Sequence, residues 1–133
     1  MSAASSRSPL APGGLVLPDD LNALAPAVWP MHAERRSGEL TIGGVGAAAL
    51  AERFGTPLYV LDEADVRSRA ARTRDAFNRA FEPLGVRVKV YYAAKAFLSI
   101  EVARWMDELG LALDVASGGE FAVGIAAGFP ASR

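Results

Sequence analysis

The 133-residue chain carries a net charge of −1 with acidic and basic residues mixed along its length, and 51% of its residues are hydrophobic, enough to bury the core of one ordinary domain. No basic stretch with interleaved aromatics argues for a nucleic-acid partner, and no apolar run approaches the length of a membrane span. The absence of cysteine excludes disulfides, thiolate metal sites and a cysteine nucleophile within the chain, and one histidine, His32, gives no support to a histidine metal cluster or a Ser/His triad.

In chain order, the N-terminus "MSAASSRSPLAPGG" lacks an apolar segment of signal-peptide length and reads as tail. Residues 1–18 are expected to be disordered, and residues 19–55 to form a lead-in. Within it "ELTIGG" predicts a short strand closed by glycines, and "AAALAERFG" a short helix stopped at Gly55. From residue 56 strand and helix alternate. "PLYVLD" predicts a buried strand, and "EADVRSRAARTRDAFNRAF" a helix with Val66, Ala70, Phe77 and Phe81 at helical spacing, capped by Asp62 with Asp65 at N3. "VRVKVYYA" is a second strand, followed by the helix "SIEVARWMDELG" with Ser99 as N-cap and Gly110 as stop. "LALDVAS" is a third strand, and "GGEFAVGIAAGF" a third helix. Three such repeats with short links predict an α/β fold of right-handed βαβ units on a parallel sheet, strand order 1-2-3. Three strands leave two open sheet edges, which suggests the front part of something larger.

Side chains alternate faces along a strand. Val86, Val88, Val90 and Tyr92 share one apolar face; Arg87, Lys89, Tyr91, Ala93 and Lys95 share the other. In the third strand Leu111, Leu113 and Val115 oppose Ala112, Asp114 and Ala116. Each strand thus places an ionisable residue among small ones near its C-terminal end, where parallel α/β folds bind ligands. A desolvated lysine in such a place can lose its proton and attack a carbonyl to form a Schiff base; a lysine at a strand end can equally just reach into water. Asp114, one strand over, can offset a cationic neighbour or be an exposed carboxylate.

The segments "PDDLNALAPAVWP", "GELTIGGV", "FGTPLYVLDEADVRSRA", "VYYAAKAFLSIEVARWM" and "LALDVASGGEFAVGIAAGFP" together resemble, in order, the N-terminal part of the diaminopimelate decarboxylase family, the actinobacterial form most closely. That family belongs to the alanine-racemase-like pyridoxal-phosphate enzymes. The resemblance implies the first three units (residues 56–133) of a (β/α)8 barrel that binds pyridoxal 5′-phosphate. Lys95, in a "YxxKA" context, would be the Schiff-base lysine, and Asp114 an acidic residue beside the cofactor. It also implies decarboxylation of meso-diaminopimelate to lysine and a homodimer in the intact enzyme; the expectation of a cytoplasmic location comes from the N-terminal sequence and the lack of a membrane-length apolar run. Residues 1–133 alone would then be inactive and aggregation-prone. An ornithine- or arginine-type barrel decarboxylase and a non-catalytic fragment are the alternatives.

"SGGE", Ser117 to Glu120, matches a capping box, which explains all four residues without a phosphate. Tyr59 can line the cofactor floor or sit in the core, and Trp29, Phe97, Trp105 and Met106 are read as packing residues. Gly44, Gly46 and Ala49 make a G-x-G-x-x-A pattern with Asp62 18 residues beyond Gly44. This is the outline of a dinucleotide fingerprint, but the strand before it is short and begins with a charge.

Overall fold

In a computed structural model, which describes residues 20, 22–26 and 28–132, the chain forms two small sheets and four α-helices. The expected tail, residues 1–18, lies outside the described residues. Strands β1 (Ala33–Arg36), β2 (Glu39–Ile42) and β3 (Val45–Gly46) make an antiparallel sheet in that order. Each link is two residues long, Ser37–Gly38 and Gly43–Gly44, and all four residues have positive φ. That is the type I′ hairpin, whose twist matches that of the strands it joins. Only the second strand of this sheet was expected from the sequence.

The dinucleotide outline dissolves here. Gly44 is a hairpin residue. Gly46 starts helix α1 (Ala47–Phe54), and a Cβ on it would overlap the Glu39 carboxylate. That carboxylate accepts the Ala48 N–H at 3.2 Å and so caps a helix whose own N-cap has no side chain.

Helix α2 (Glu63–Phe81) spans the 19 residues that the apolar spacing predicts. Strand β4 (Tyr91–Ala93), helix α3 (Ile100–Glu108), strand β5 (Ala112–Asp114) and helix α4 (Gly118–Ala127) follow. β4 and β5 run parallel, pairing Tyr91 with Ala112, Tyr92 with Leu113 and Ala93 with Asp114. The three-stranded sheet expected from the rhythm is therefore two-stranded among the described residues, with the third expected strand present as β5. Residues 58–62 are extended but carry no ladder, and Tyr59 is 94% exposed, outside the core. The ladder is also shorter than the apolar run, because residues 86–90 leave the pairing before Tyr91 and only the Val90 carbonyl is reached, by the Ala112 N–H at 2.9 Å. A parallel strand is stabilised by a partner on each edge and cover on each face; the first segment has neither.

The core lies between this ladder and the helices. Val102, Ala103, Met106, Leu111 and Phe129 are buried, with Val66, Ala70, Val90, Tyr92, Trp105 and Leu113 packed around them. Phe77 and Phe81 of α2, and Phe97, are more than a third exposed and lie outside that core.

Two helices end in the same device. The N–H groups of Gly110 and Leu111 return to Asp107 and Met106, and those of Gly128 and Phe129 to Ile125 and Gly124. Both are Schellman motifs with glycine at positive φ, and the residue after each glycine, Leu111 or Phe129, is driven into the core. The motif thus both stops the helix and aims the next segment. The N-termini are capped as the sequence predicts: Asp62 accepts from Asp65 N–H at 3.1 Å, Ser99 from Val102 N–H at 3.2 Å and Ser117 from Glu120 N–H at 3.2 Å.

Asp62 does a second job. Its other oxygen binds His32 Nδ1 at 2.8 Å, and buried Asp65 accepts the Met31 N–H at 3.3 Å and pairs with Arg69. The start of α2 thereby holds the lead-in. Burial of the Asp62 side chain, 4% exposed, pushes its pKa up, but the Asp65 N–H and the His32 partner outweigh this and the net direction is below 3.8. A depressed carboxylate stabilises the fold above its unfolded pKa and loses that contribution as pH falls through its folded value. Asp62→Asn, which keeps a capping oxygen, should therefore lower stability at pH 7 by roughly 1 kcal/mol and converge on wild type below about pH 3. Urea unfolding against pH checks this. Ser117→Ala should cost about 1 kcal/mol through loss of the α4 cap, with little pH dependence between 5 and 8.

Candidate active site

The site begins with the register of β4 and β5. Pairing Ala93 with Asp114 puts the C-terminal ends of both strands side by side. Asp114 is the last residue of β5, and Lys95 lies two residues beyond the end of β4, in the 3₁₀ turn Ala94–Ala96. Both sequence-singled residues thus stand at one end of the sheet, and both are exposed. They do not form an ion pair with each other, and among the described residues neither has a hydrogen-bond partner.

The turn that carries Lys95 is held on both sides. At its entry Ala94 is 2% exposed and follows the last ladder pair. At its exit the Tyr92 hydroxyl donates to the Phe97 carbonyl at 2.6 Å, and Ser99 then caps α3. Burial pushes the Tyr92 pKa above its ordinary 10.0, so the O–H remains a donor throughout the neutral range. Tyr92 was assigned from the sequence only to the helix-facing, apolar side of its strand. Its ring does pack there, but the hydroxyl reaches back over the strand end, which alternation alone cannot reveal.

Across the gap, the Ser117–Glu120 box departs by one residue from the usual pattern. The Glu120 carboxylate accepts the Ala116 N–H at 2.7 Å rather than that of Ser117 itself. This fixes the loop leaving Asp114. The chain has two lysines, Lys89 and Lys95. Lys89 is engaged: its amine donates to the Ser132 carbonyl at 3.1 Å and lies 5.4 Å over the Tyr91 ring. Lys95 alone of the two has a free amine. An unpartnered amine flanked by Ala93, Ala94 and Ala96, with a carboxylate on the neighbouring strand end, is a donor set that fits an aldehyde cofactor. No group of three or more potential ligands able to hold a metal exists among the described residues.

A large open cavity of about 560 Å³ lies elsewhere, between the hairpins, α1 and the start of α2, and is lined by His32, Glu34 and Asp62 among others. It holds neither Lys95 nor Asp114. No helix among the described residues is long and apolar enough to cross a membrane.

Comparison with known proteins bears on this geometry. Residues 63–133, from the start of α2 through both strand ends, match the family described as "Pyridoxal-dependent decarboxylase, pyridoxal binding domain". The chain is 48% identical over 116 residues to diaminopimelate decarboxylase of Mycobacterium tuberculosis, covering 86% of this chain and 24% of that protein. It is 49% identical over 100 residues to the Bacillus subtilis enzyme of the same name, covering 75% and 22%. In structure it is similar to diaminopimelate decarboxylase from M. jannaschii in complex with L-lysine, with a TM-score of 0.65 and 36% identity over 76% of this chain and 23% of that one. The chain therefore spans about a quarter of the length of the relatives it matches. The matched segment covers the parallel ladder, the Lys95 turn and the capped start of α4, and by it the chain belongs to the pyridoxal-dependent decarboxylase family.

Proposed function

We propose that this chain is the N-terminal part of a decarboxylase that converts meso-2,6-diaminopimelate to L-lysine and carbon dioxide, with Lys95 as the covalent anchor of pyridoxal 5′-phosphate. The observation that carries the reading is the free Lys95 amine at the strand end of a pyridoxal-binding domain, beside Asp114 and in the absence of a competing free lysine. The substrate assignment rests on the names of the relatives, and the M. jannaschii relative was crystallised with L-lysine.

Bound pyridoxal phosphate supplies the electron sink for the pair left behind when carbon dioxide departs. The chain's own groups have simpler tasks. The Lys95 amine would hold the cofactor covalently through its aldehyde. The Asp114 carboxylate would accept a hydrogen bond from the bound assembly or offset its positive charge. The capped start of α4 keeps the loop after Asp114 in place. We further propose a boundary at residues 55–56 between the lead-in and the barrel units, a homodimer as the working assembly and a cytoplasmic location.

Because the Lys95 amine has no partner, Lys95→Ala should shift stability by less than about 0.5 kcal/mol, as surface substitutions do. In the full-length enzyme the same change should abolish covalent attachment of the cofactor on borohydride reduction. Wild-type enzyme should release L-lysine from meso-diaminopimelate and leave ornithine untouched, measured by amino-acid chromatography. Turnover of ornithine instead would move the chain to the ornithine- or arginine-type decarboxylases. Residues 1–133 by themselves should evolve no carbon dioxide above a pyridoxal-phosphate control.

A further inference from the structure

We infer that Tyr92 is a positioning residue for Lys95: its hydroxyl, by donating to the Phe97 carbonyl, locks the turn from which the lysine projects. The inference rests on Lys95 being the cofactor anchor and adds a residue to that site.

The Lys95 turn is short, exposes Lys95 and Ala96 while Ala94 is buried, and has no polar side chain that holds it. Ala94 and Ala96 have no polar group, Lys95 itself is free, and Phe97 is 44% exposed. A 3₁₀ turn of three residues has poor internal hydrogen-bond geometry and no cooperative length. The constraint must come from outside it. Upstream, the ladder ends at Ala93. Downstream, the first helical cap is at Ser99. Between them, among the described residues, the Tyr92 hydroxyl is the one side-chain group bonded to the segment, at 2.6 Å.

Tyr92 is well placed for this. Its backbone is fixed by pairing with Leu113 in the middle of the ladder. Its ring packs against the core of Val102, Ala103 and Met106, so two degrees of side-chain freedom are already restricted before the hydroxyl binds. The bond therefore ties Phe97 to the parallel ladder and the packed core. It closes a loop from residue 92 to 97 with Lys95 at its crest. Covalent attachment requires the amine to be held about 3–3.5 Å from the cofactor's aldehyde carbon with its lone pair aligned, so a turn that wanders loses attack geometry even though the amine's chemistry is unchanged. Phenylalanine at 92 would keep the packing and remove only the clasp.

The test compares wild type, Tyr92→Phe and Lys95→Ala in the full-length protein. Three readouts are needed: backbone order parameters for residues 94–98 without cofactor, the rate of covalent attachment of added pyridoxal phosphate trapped by borohydride, and the thermal midpoint. Tyr92→Phe should lower the order parameters from about 0.85 toward 0.6 and slow attachment about fivefold, the effect of one net hydrogen bond, with the midpoint retained. Unchanged order parameters and attachment rate overturn the positioning role while leaving Lys95 as anchor. A drop in midpoint with no local change at 94–98 also overturns it, since the hydroxyl would then serve only general stability. Attachment that persists in Lys95→Ala overturns the anchor reading, and with it any role for Tyr92 in presenting that lysine.

Discussion

A parallel ladder of three residues on each side, Tyr91–Ala93 beside Ala112–Asp114, determines where the chemistry of this chain can sit. Parallel pairing puts like ends together, so an amine just past one strand and a carboxylate at the end of the next fall at the same edge without further design. An antiparallel pairing of these segments would send Lys95 and Asp114 to opposite ends. The ladder itself is set by what lies under it. Leu111 is drawn into the core by the Schellman end of α3, and that fixes which residues of the following strand can meet β4.

The same logic repeats along the chain. Each helix after the lead-in starts at an oxygen-bearing cap, Asp62, Ser99 or Ser117, and α3 and α4 end at a glycine that returns an apolar residue to the core. α3 packs between α2 and α4 and contributes Ala103 and Met106, both 0% exposed, as is Ala112 of β5. Arg67 links Glu63 of α2 to Glu108 of α3, and Arg74 donates to the Leu109 carbonyl at 2.6 Å, where the negative end of the α3 dipole favours a cation. The lead-in is held by a different means, through the two buried carboxylates Asp62 and Asp65. The N-terminus of α2 is thus a junction between the hairpin sheet and the helical layer.

What the sequence reveals follows from how local each signal is. Helix starts, helix stops and the α2 boundaries were legible because caps, glycines and 3.6-residue periodicity act within one or two turns. The position of Lys95 and Asp114 at one sheet end was legible too, since alternation and strand–helix rhythm determine it together. The hairpin strand β1 was not, because "AERR" is polar and its pairing depends on a type I′ turn that needs Ser37 and Gly38 at positive φ. The strand expected at "PLYVLD" failed for the opposite reason. Its residues are apolar enough, but a strand exists only when a neighbour accepts its backbone, and β4 does not pair with it. The His32–Asp62 bond and the Tyr92 clasp were hidden because each joins a residue's polar tip to a place that strand or helix periodicity does not address.

Resemblance and geometry carry different parts of the account. The family match brings the cofactor, whereas the fold distinguishes between the two lysines: Lys89 is tied to Ser132 and Tyr91, and Lys95 is free at the strand end. The most direct measurement is the chemical identity of the modified residue. Full-length protein incubated with pyridoxal phosphate, reduced with borohydride, digested and sequenced by mass spectrometry should carry the pyridoxyl group on Lys95 and leave Lys89 unmodified. A pyridoxyl group on Lys89, or on a lysine outside residues 1–133, would contradict the account at its centre.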